Sequence, residues 1–301
     1  MKRWGILLLW CLAMLPGLSV AQVNSADQGK PFATVWQIKG EVLVGMPEAK
    51  PRRLAAGMVI HVGEEIAASA TGEAVLKTSD GGLIAVRPNT RFQAESYAAD
   101  GKPEDRQVLR LITGTLRVVT GWIGKLNRNG HKVNTPTATI GVRGTDHEPY
   151  VLPAELASEG YRSGTYNRVL RGGTVLEASG GAVEIDAGKV GFVRDPSPIR
   201  TRALMTLLMP VLLEKVPDFY AAGTFEKDID RYSQSADRES LRALTRKNPA
   251  VRLPEAGANS PSAGAAQVAP EDSKAVPTTV RTLPVGCLPK ASAAYWLARF
   301  D

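Results

Sequence analysis

From Phe32 to about Val193 apolar and polar residues alternate with period two, and glycine interrupts the alternation at short intervals. "GEVLVG", "GEAVLKTSDGGLIAV", "GTLRVVTGWIG" and "GGTVLEASGGAVEIDAGKVGFV" are runs of this kind. Alternating runs separated by Asp-Gly and Gly-Gly predict short strands joined by tight turns. "SDGG", Ser79 to Gly82, lies between two such runs, where glycine supplies the positive φ a hairpin turn needs. No long helical period appears, so residues 32–195 read as an all-β domain. It is either a sandwich or a solenoid-like stack of short strands.

Past Pro196 and Pro198 the pattern changes. Ile199 to Val216 is rich in Leu and Met and is broken at Pro210. Thr224 then reads as an N-cap, and Phe225, Ile229, Tyr232, Ala236, Leu241 and Leu244 recur at helical spacing. The opposite face carries Glu226, Asp228, Asp230, Arg231 and Asp237. Residues 199–247 are therefore expected to form a helical hairpin packed on the β domain or on a partner. Residues 248–301 turn to Pro, Ala, Ser and Gly, a composition that buries too little surface to offset its ordering entropy. A disordered tail is expected there, ending in the apolar cluster "AAYWLARF".

The first 21 residues place the chain. Lys2 and Arg3 precede an apolar run from Ile6 to Leu18, and Ser19-Val20-Ala21 offers small residues for cleavage. This is the pattern of a secretory signal, with cleavage expected after Ala21 and no transmembrane segment in the mature chain. Trp10 before Cys11 does not suit a lipoprotein signal. The mature chain keeps one cysteine, Cys287, so burial rather than a disulfide framework must hold it. Loss of Lys2 and Arg3 lowers the net charge from +7 to +5, a modest positive balance.

Motifs for chemistry are scarce. There is no Gly-x-Ser-x-Gly elbow, no Walker loop and no dinucleotide fingerprint. His61, His131 and His147 are isolated from other ligands in sequence. Asp146-His147-Glu148 could hold a metal only with help, since neighbouring strand residues point to opposite faces. No catalytic residue, metal or cofactor is expected. Two features stand out instead. Between Asp105 and Asp146 there is no acidic residue, while Arg106, Arg110, Arg117, Lys125, Arg128, Lys132 and Arg143 are all basic, with Trp122 among them. Either these form a basic patch with an aromatic platform, or they scatter over outward faces. The second feature is "NTPTATIGVRGTDHEPY", Asn134 to Tyr150. Thr135, Thr137, Thr139, Gly141 and Arg143 would share one strand face, with Pro136, Ala138, Ile140 and Val142 on the core side. Gly144 is placed for a bulge or bend that resets the parity of Thr145 and His147.

"GEEIAASATGEAVLKTSDGGLIAVRPNTRFQ" followed by "TPTATIGVRGTDHE" resembles the FecR domain. The resemblance runs from about Ala33 to Val193. Its motif positions are Asp80 and Gly81 in the turn, and Thr135, Pro136, Val142, Arg143, Gly144 and Thr145 in the closing segment. Relatives of the iron-transport type are transmembrane anti-sigma factors whose periplasmic FecR domain receives a signal from an outer-membrane receptor. Here a cleavable signal stands in place of the cytoplasmic segment and spanning helix. The resemblance therefore implies interaction, signalling or scaffolding in the periplasm by a secreted, non-enzymatic protein. The partner would be an envelope protein or an anionic cell-wall polymer, and no nucleic acid. Binding residues would be Thr137, Thr139, Arg143, His147, Trp122, Arg117, Lys125, Arg128 and Lys132. A second reading is a polysaccharide or peptidoglycan module with Trp122 stacked on sugar. A third is a metal-dependent hydrolase resting on Asp146-His147-Glu148.

Overall fold

The computed structural model describes residues 27–127, 129–158, 160–196 and 209–250. The expected signal sequence, Arg128, Cys287 and nearly all of the expected tail lie outside these residues.

Two sheets share one long strand. Sheet A runs from edge to edge through β4 (Val59–His61), β1 (Pro31–Lys39), β6 (Glu73–Thr78), β7 (Leu83–Val86), the C-terminal half of β9 (Arg106–Val119), β12 (Asp146–Leu152), β13 (Gly164–Arg171), β16 (Val190–Arg194) and β17 (Val211–Leu213). Sheet B runs through β3 (Arg52–Arg53), β2 (Val42–Gly45), β5 (Glu65–Ala68), β8 (Arg91–Ala98), the N-terminal half of β9, β10 (His131–Asn134), β11 (Thr139–Val142), β14 (Gly173–Ala178) and β15 (Gly181–Asp186). Every pairing is antiparallel except β9 with β10. A solenoid would stack parallel coils, so of the two expected architectures the sandwich is the one found.

Strand β9 explains how one strand serves both sheets. Before Gly114 its odd positions Gln107, Leu109 and Leu111 are buried; after it the even positions Leu116 and Val118 join the core. Gly114 takes φ +81° at the switch, and a β-carbon there would lie 2.5 Å from both the Asn89 carbonyl oxygen and the Thr90 Cα. Only glycine fits that crossing, and the parity change keeps one face of β9 inward as it passes from sheet B to sheet A. Between the sheets lies one core, including Val35, Ile60, Leu76, Ile84 and Val151 of sheet A and Val44, Ile66, Phe92, Ile140 and Leu176 of sheet B.

The outer face of sheet A is covered by the chain's own C-terminal part. Helix α1 (Ile123–Leu126) is a single turn; helix α2 (Glu226–Lys247) is the long one. Ile229 and Ala236 of α2 pack with Val75, Leu83, Ala85 and Val119, flanked by Trp36, Phe225 and Tyr232. Beside them Phe219, Tyr220 and Leu213 join Tyr150, Leu152, Tyr166 and Phe192. Acidic Glu226 and Asp228 in the first turn of α2, and Arg246 and Lys247 in the last, match its dipole.

The helical hairpin needs correction. Its second arm is α2, but residues 211–213 of its first arm extend sheet A as β17 against β16. Pro210 cannot donate within a helix, and the edge of β16 offers the following residues a ladder instead. The rest of that arm, 199–208, lies outside the described residues. Thr224 is not the cap: its backbone N–H and hydroxyl both donate to Glu73, at 2.8 and 2.7 Å. Leu241, expected on the packed face, is exposed.

Candidate functional site

The Asp-Gly turn joins β6 and β7 of sheet A, and the Thr-Pro to Arg-Gly-Thr segment begins in sheet B and ends where β12 enters sheet A. Asp80 is fully buried in the β6–β7 turn. Its carboxylate accepts from the Thr78 hydroxyl and from the Gly82 N–H at 3.3 Å, and its carbonyl accepts the Trp122 N–H at 3.0 Å. Burial raises its pKa against these hydrogen bonds. Gly81 takes φ +73°, and a β-carbon there would lie 2.9 Å from the Glu239 carbonyl oxygen of α2. The turn is thus shaped to receive the helix, and this family motif is architectural.

The closing segment differs from a continuous strand. Thr135 to Ala138 is the hairpin turn between β10 and β11, where Asn134 pairs with Thr139. The Thr135 N–H donates to the Ala138 carbonyl at 2.9 Å, and the Ala138 N–H donates back to the Thr135 hydroxyl at 2.9 Å. Pro136 presets the turn and is exposed, so it does not face the core. Thr135 and Thr137 both meet the buried Thr165 hydroxyl, at 2.7 and 2.6 Å, rather than joining a ladder with Thr139. From Thr139 onward the expected alternation is found: Ile140 and Val142 are fully buried, while Arg143 is exposed and reaches Glu184 at 3.3 Å. Gly144 bends with φ +70°, and the Thr145 N–H donates to the Thr120 hydroxyl at 2.9 Å. A register shift follows between Asp146 and His147.

Asp146, His147 and Glu148 then separate. Asp146 holds Arg117 through two hydrogen bonds, 3.0 and 2.7 Å, and accepts from Ser233 of α2 at 2.5 Å. Arg117 also pairs with Glu226, and with Asp230 at 2.7 Å. Burial works against the Arg117 charge, but Asp146 and its neighbours outweigh it and hold its pKa above the ordinary value. Glu148 lies 3.7 Å from Arg87 and 3.3 Å from Arg168, and burial raises its pKa despite them. Arg87 pairs with Glu226 at 2.5 Å and approaches Glu73 at 4.0 Å. His147 points the other way, into the core. Its Nδ1 meets the Asn167 side-chain oxygen at 2.9 Å, and its ring stands edge-on to His131 with centroids 6.4 Å apart. Burial pushes His147 down to about 4; burial and His147 together push His131 down to about 3, so both are neutral. Among the described residues no group of three or more His, Cys, Asp or Glu could hold a metal.

Several expected binding residues therefore move inward. Trp122 is fully buried and its indole N–H donates to Asp105 at 3.0 Å, so it offers no platform to a sugar. Arg117 and His147 are buried, and Lys125 is engaged by Asp237 at 2.6 Å and Ser240 at 3.1 Å. Arg117 and Lys125 of the basic stretch meet the acidic face of α2, so the anionic surface that engages these two belongs to the chain itself, while Arg106, Arg110 and Arg143 pair elsewhere. Lys132 and Arg143 remain exposed, and Thr139 partly so. Arg87, Glu73, Arg168 and Glu226 complete the network but carried no motif; buried Arg87 in "AVRPN" was the available signal.

Residues 64–158 match the family model described as FecR protein. No curated protein matches the chain. Two crystal structures of a candidate anti-sigma factor from Parabacteroides distasonis, at 2.50 and 1.65 Å resolution, are similar to it at 12% identity and a TM-score of 0.35. Each match covers 50% of this chain and 58% of the other.

Proposed function

We propose that this is an exported, non-enzymatic protein whose FecR domain mediates protein–protein interaction, in signalling or scaffolding, in the periplasm. The reading joins the FecR match to the secretory pattern of the first 21 residues. The observation that carries it is the unequal treatment of the two sheets. The outer face of sheet A is buried beneath α2 and the Phe219–Phe225 segment. On the outer face of sheet B Arg53, Arg110, Lys132 and Arg143 are exposed and Gln93 and Thr139 partly so, and among the described residues no helix covers it. Its charges pair in rows: Arg91 with Glu65, Arg110 with Glu95, Arg143 with Glu184. Such a face is polar and its charges are paired, suited to a protein surface of matching charge order rather than to a buried substrate.

In-cell photo-crosslinking from positions 132 and 139, with Gln234 on the exposed side of α2 as the control, tests this. A discrete protein adduct from 132 and 139 but not from 234 is expected. Label passing into the insoluble wall fraction, or no adduct from either sheet B position, would overturn it.

A further inference from the structure

We propose that the cavity at the corner where β9 changes sheets is a binding site for a single neutral sugar ring. It measures about 270 Å³ and lies between the turn after β7, the Thr113–Thr115 crossing, β12 and the strap Phe219–Gly223. It is separate from the face of sheet B and does not depend on the partner proposed above.

Three features define the ligand. First, two residues lining the cavity leave buried side-chain oxygens without a partner, the Thr113 hydroxyl and the Asn89 amide oxygen. Thr113 is only 7% exposed. Native interiors pair such atoms, so Thr113 and Asn89 are the polar residues of the lining that the proposal assigns to a ligand's hydroxyls. Asn89 takes φ +57° in the turn after β7, a conformation asparagine tolerates, which sets where its side chain leaves the turn. Second, the charged end of the cavity is internally neutralised. Arg87 is taken up by Glu226, Glu148 and Glu73, and Glu148 also by Arg168. A charged ligand would find no free counter-ion, whereas a neutral donor and acceptor would. Third, the opposite wall is carbon-rich: Tyr150, Phe219, Pro153 and Leu156. Phe219 and Tyr150 stand edge-on at 4.6 Å, so their ring faces are held in place. A pyranose has hydroxyls around its rim and C–H groups on its faces, and one ring suits a space just below the usual range for small-molecule pockets.

The test uses the chain purified without its signal sequence. Saturation-transfer NMR and calorimetry would be run with a panel of neutral monosaccharides and of short oligosaccharides, against wild type, Thr113→Val and Asn89→Gly. Saturable binding of at least one sugar is expected, weakened about tenfold or more in Thr113→Val. Thr113→Val should melt no lower than wild type, because it removes an unpaired buried hydroxyl. If that variant fails to fold, Asn89→Gly, which keeps the positive φ, carries the test. Equal binding of a free sugar and of the oligosaccharide it terminates would identify a free sugar; binding of the oligosaccharide alone would identify a glycan end. Absence of saturable binding across the panel, or affinity unchanged in both variants, would overturn the proposal.

Discussion

The two sheets of this sandwich share a core and a strand yet meet opposite surroundings. Sheet A places Arg87, Arg117 and Glu148 on its outer face and then buries them under an acidic helix. Sheet B leaves Arg110 and Arg143 about half exposed on its outer face, and they pair with Glu95 and Glu184 of the same sheet. The comparison separates charge that builds the molecule from charge that can meet something else. A buried pair is costly to break, because the partner left behind stays desolvated; an exposed pair contributes little.

The largest effect should come from the shared interior. Ile140→Asp or Val142→Asp puts an unpaired carboxylate between the sheets, a cost of several kcal/mol comparable to total stability, and thermal melting should show no cooperative transition. Next is Arg117→Met, which leaves Asp146 buried beside Glu226. We expect a loss of about 3–5 kcal/mol by denaturant titration, with part of it returned by adding Asp146→Leu. Equal loss from Arg143→Met would erase the distinction between the sheets.

Acid should act through the interface between them. His131 lies on sheet B and His147 on sheet A, with folded pKa values near about 3 and about 4 against about 6.5 when unfolded. The folded values are lower, so the unfolded chain takes up more protons as pH falls. Their contribution is complete above about pH 6.5 and is lost as pH falls towards about 4 and then 3, roughly 3 kcal/mol for His147 and roughly 5 kcal/mol for His131. His131→Phe, whose ring nitrogens have no partners, should keep neutral-pH stability and remove the larger part of that acid loss in pH-dependent melts. Gly81→Ala should loosen α2 from its turn at about 1–3 kcal/mol, seen as faster amide exchange in residues 226–247. Smallest of all, Thr139→Ala on the open face should shift stability by no more than about 0.5 kcal/mol.

What could be read from sequence follows from how far each interaction reaches along the chain. Alternation and glycine spacing are local, so the β class and the inward facing of Ile140 and Val142 were legible. The Thr135–Ala138 turn was legible in principle, since Pro136 follows a turn-forming threonine, but the alternation concealed it. Trp122 and the basic stretch were not. Asp105 lies 17 residues from Trp122, and Glu226 lies 109 from Arg117. The acidic helix face and the basic residues Arg117 and Lys125 were each visible, but nothing local told that they meet.

The central claim is that sheet B's outer face is free in the isolated chain and occupied in the cell. It is tested most directly by thiol labelling of a Thr139→Cys variant in a Cys287→Ser background, compared between the purified protein and intact cells. Rapid labelling of the purified protein and strong protection in cells is the predicted result. Equal labelling in both would contradict the claim.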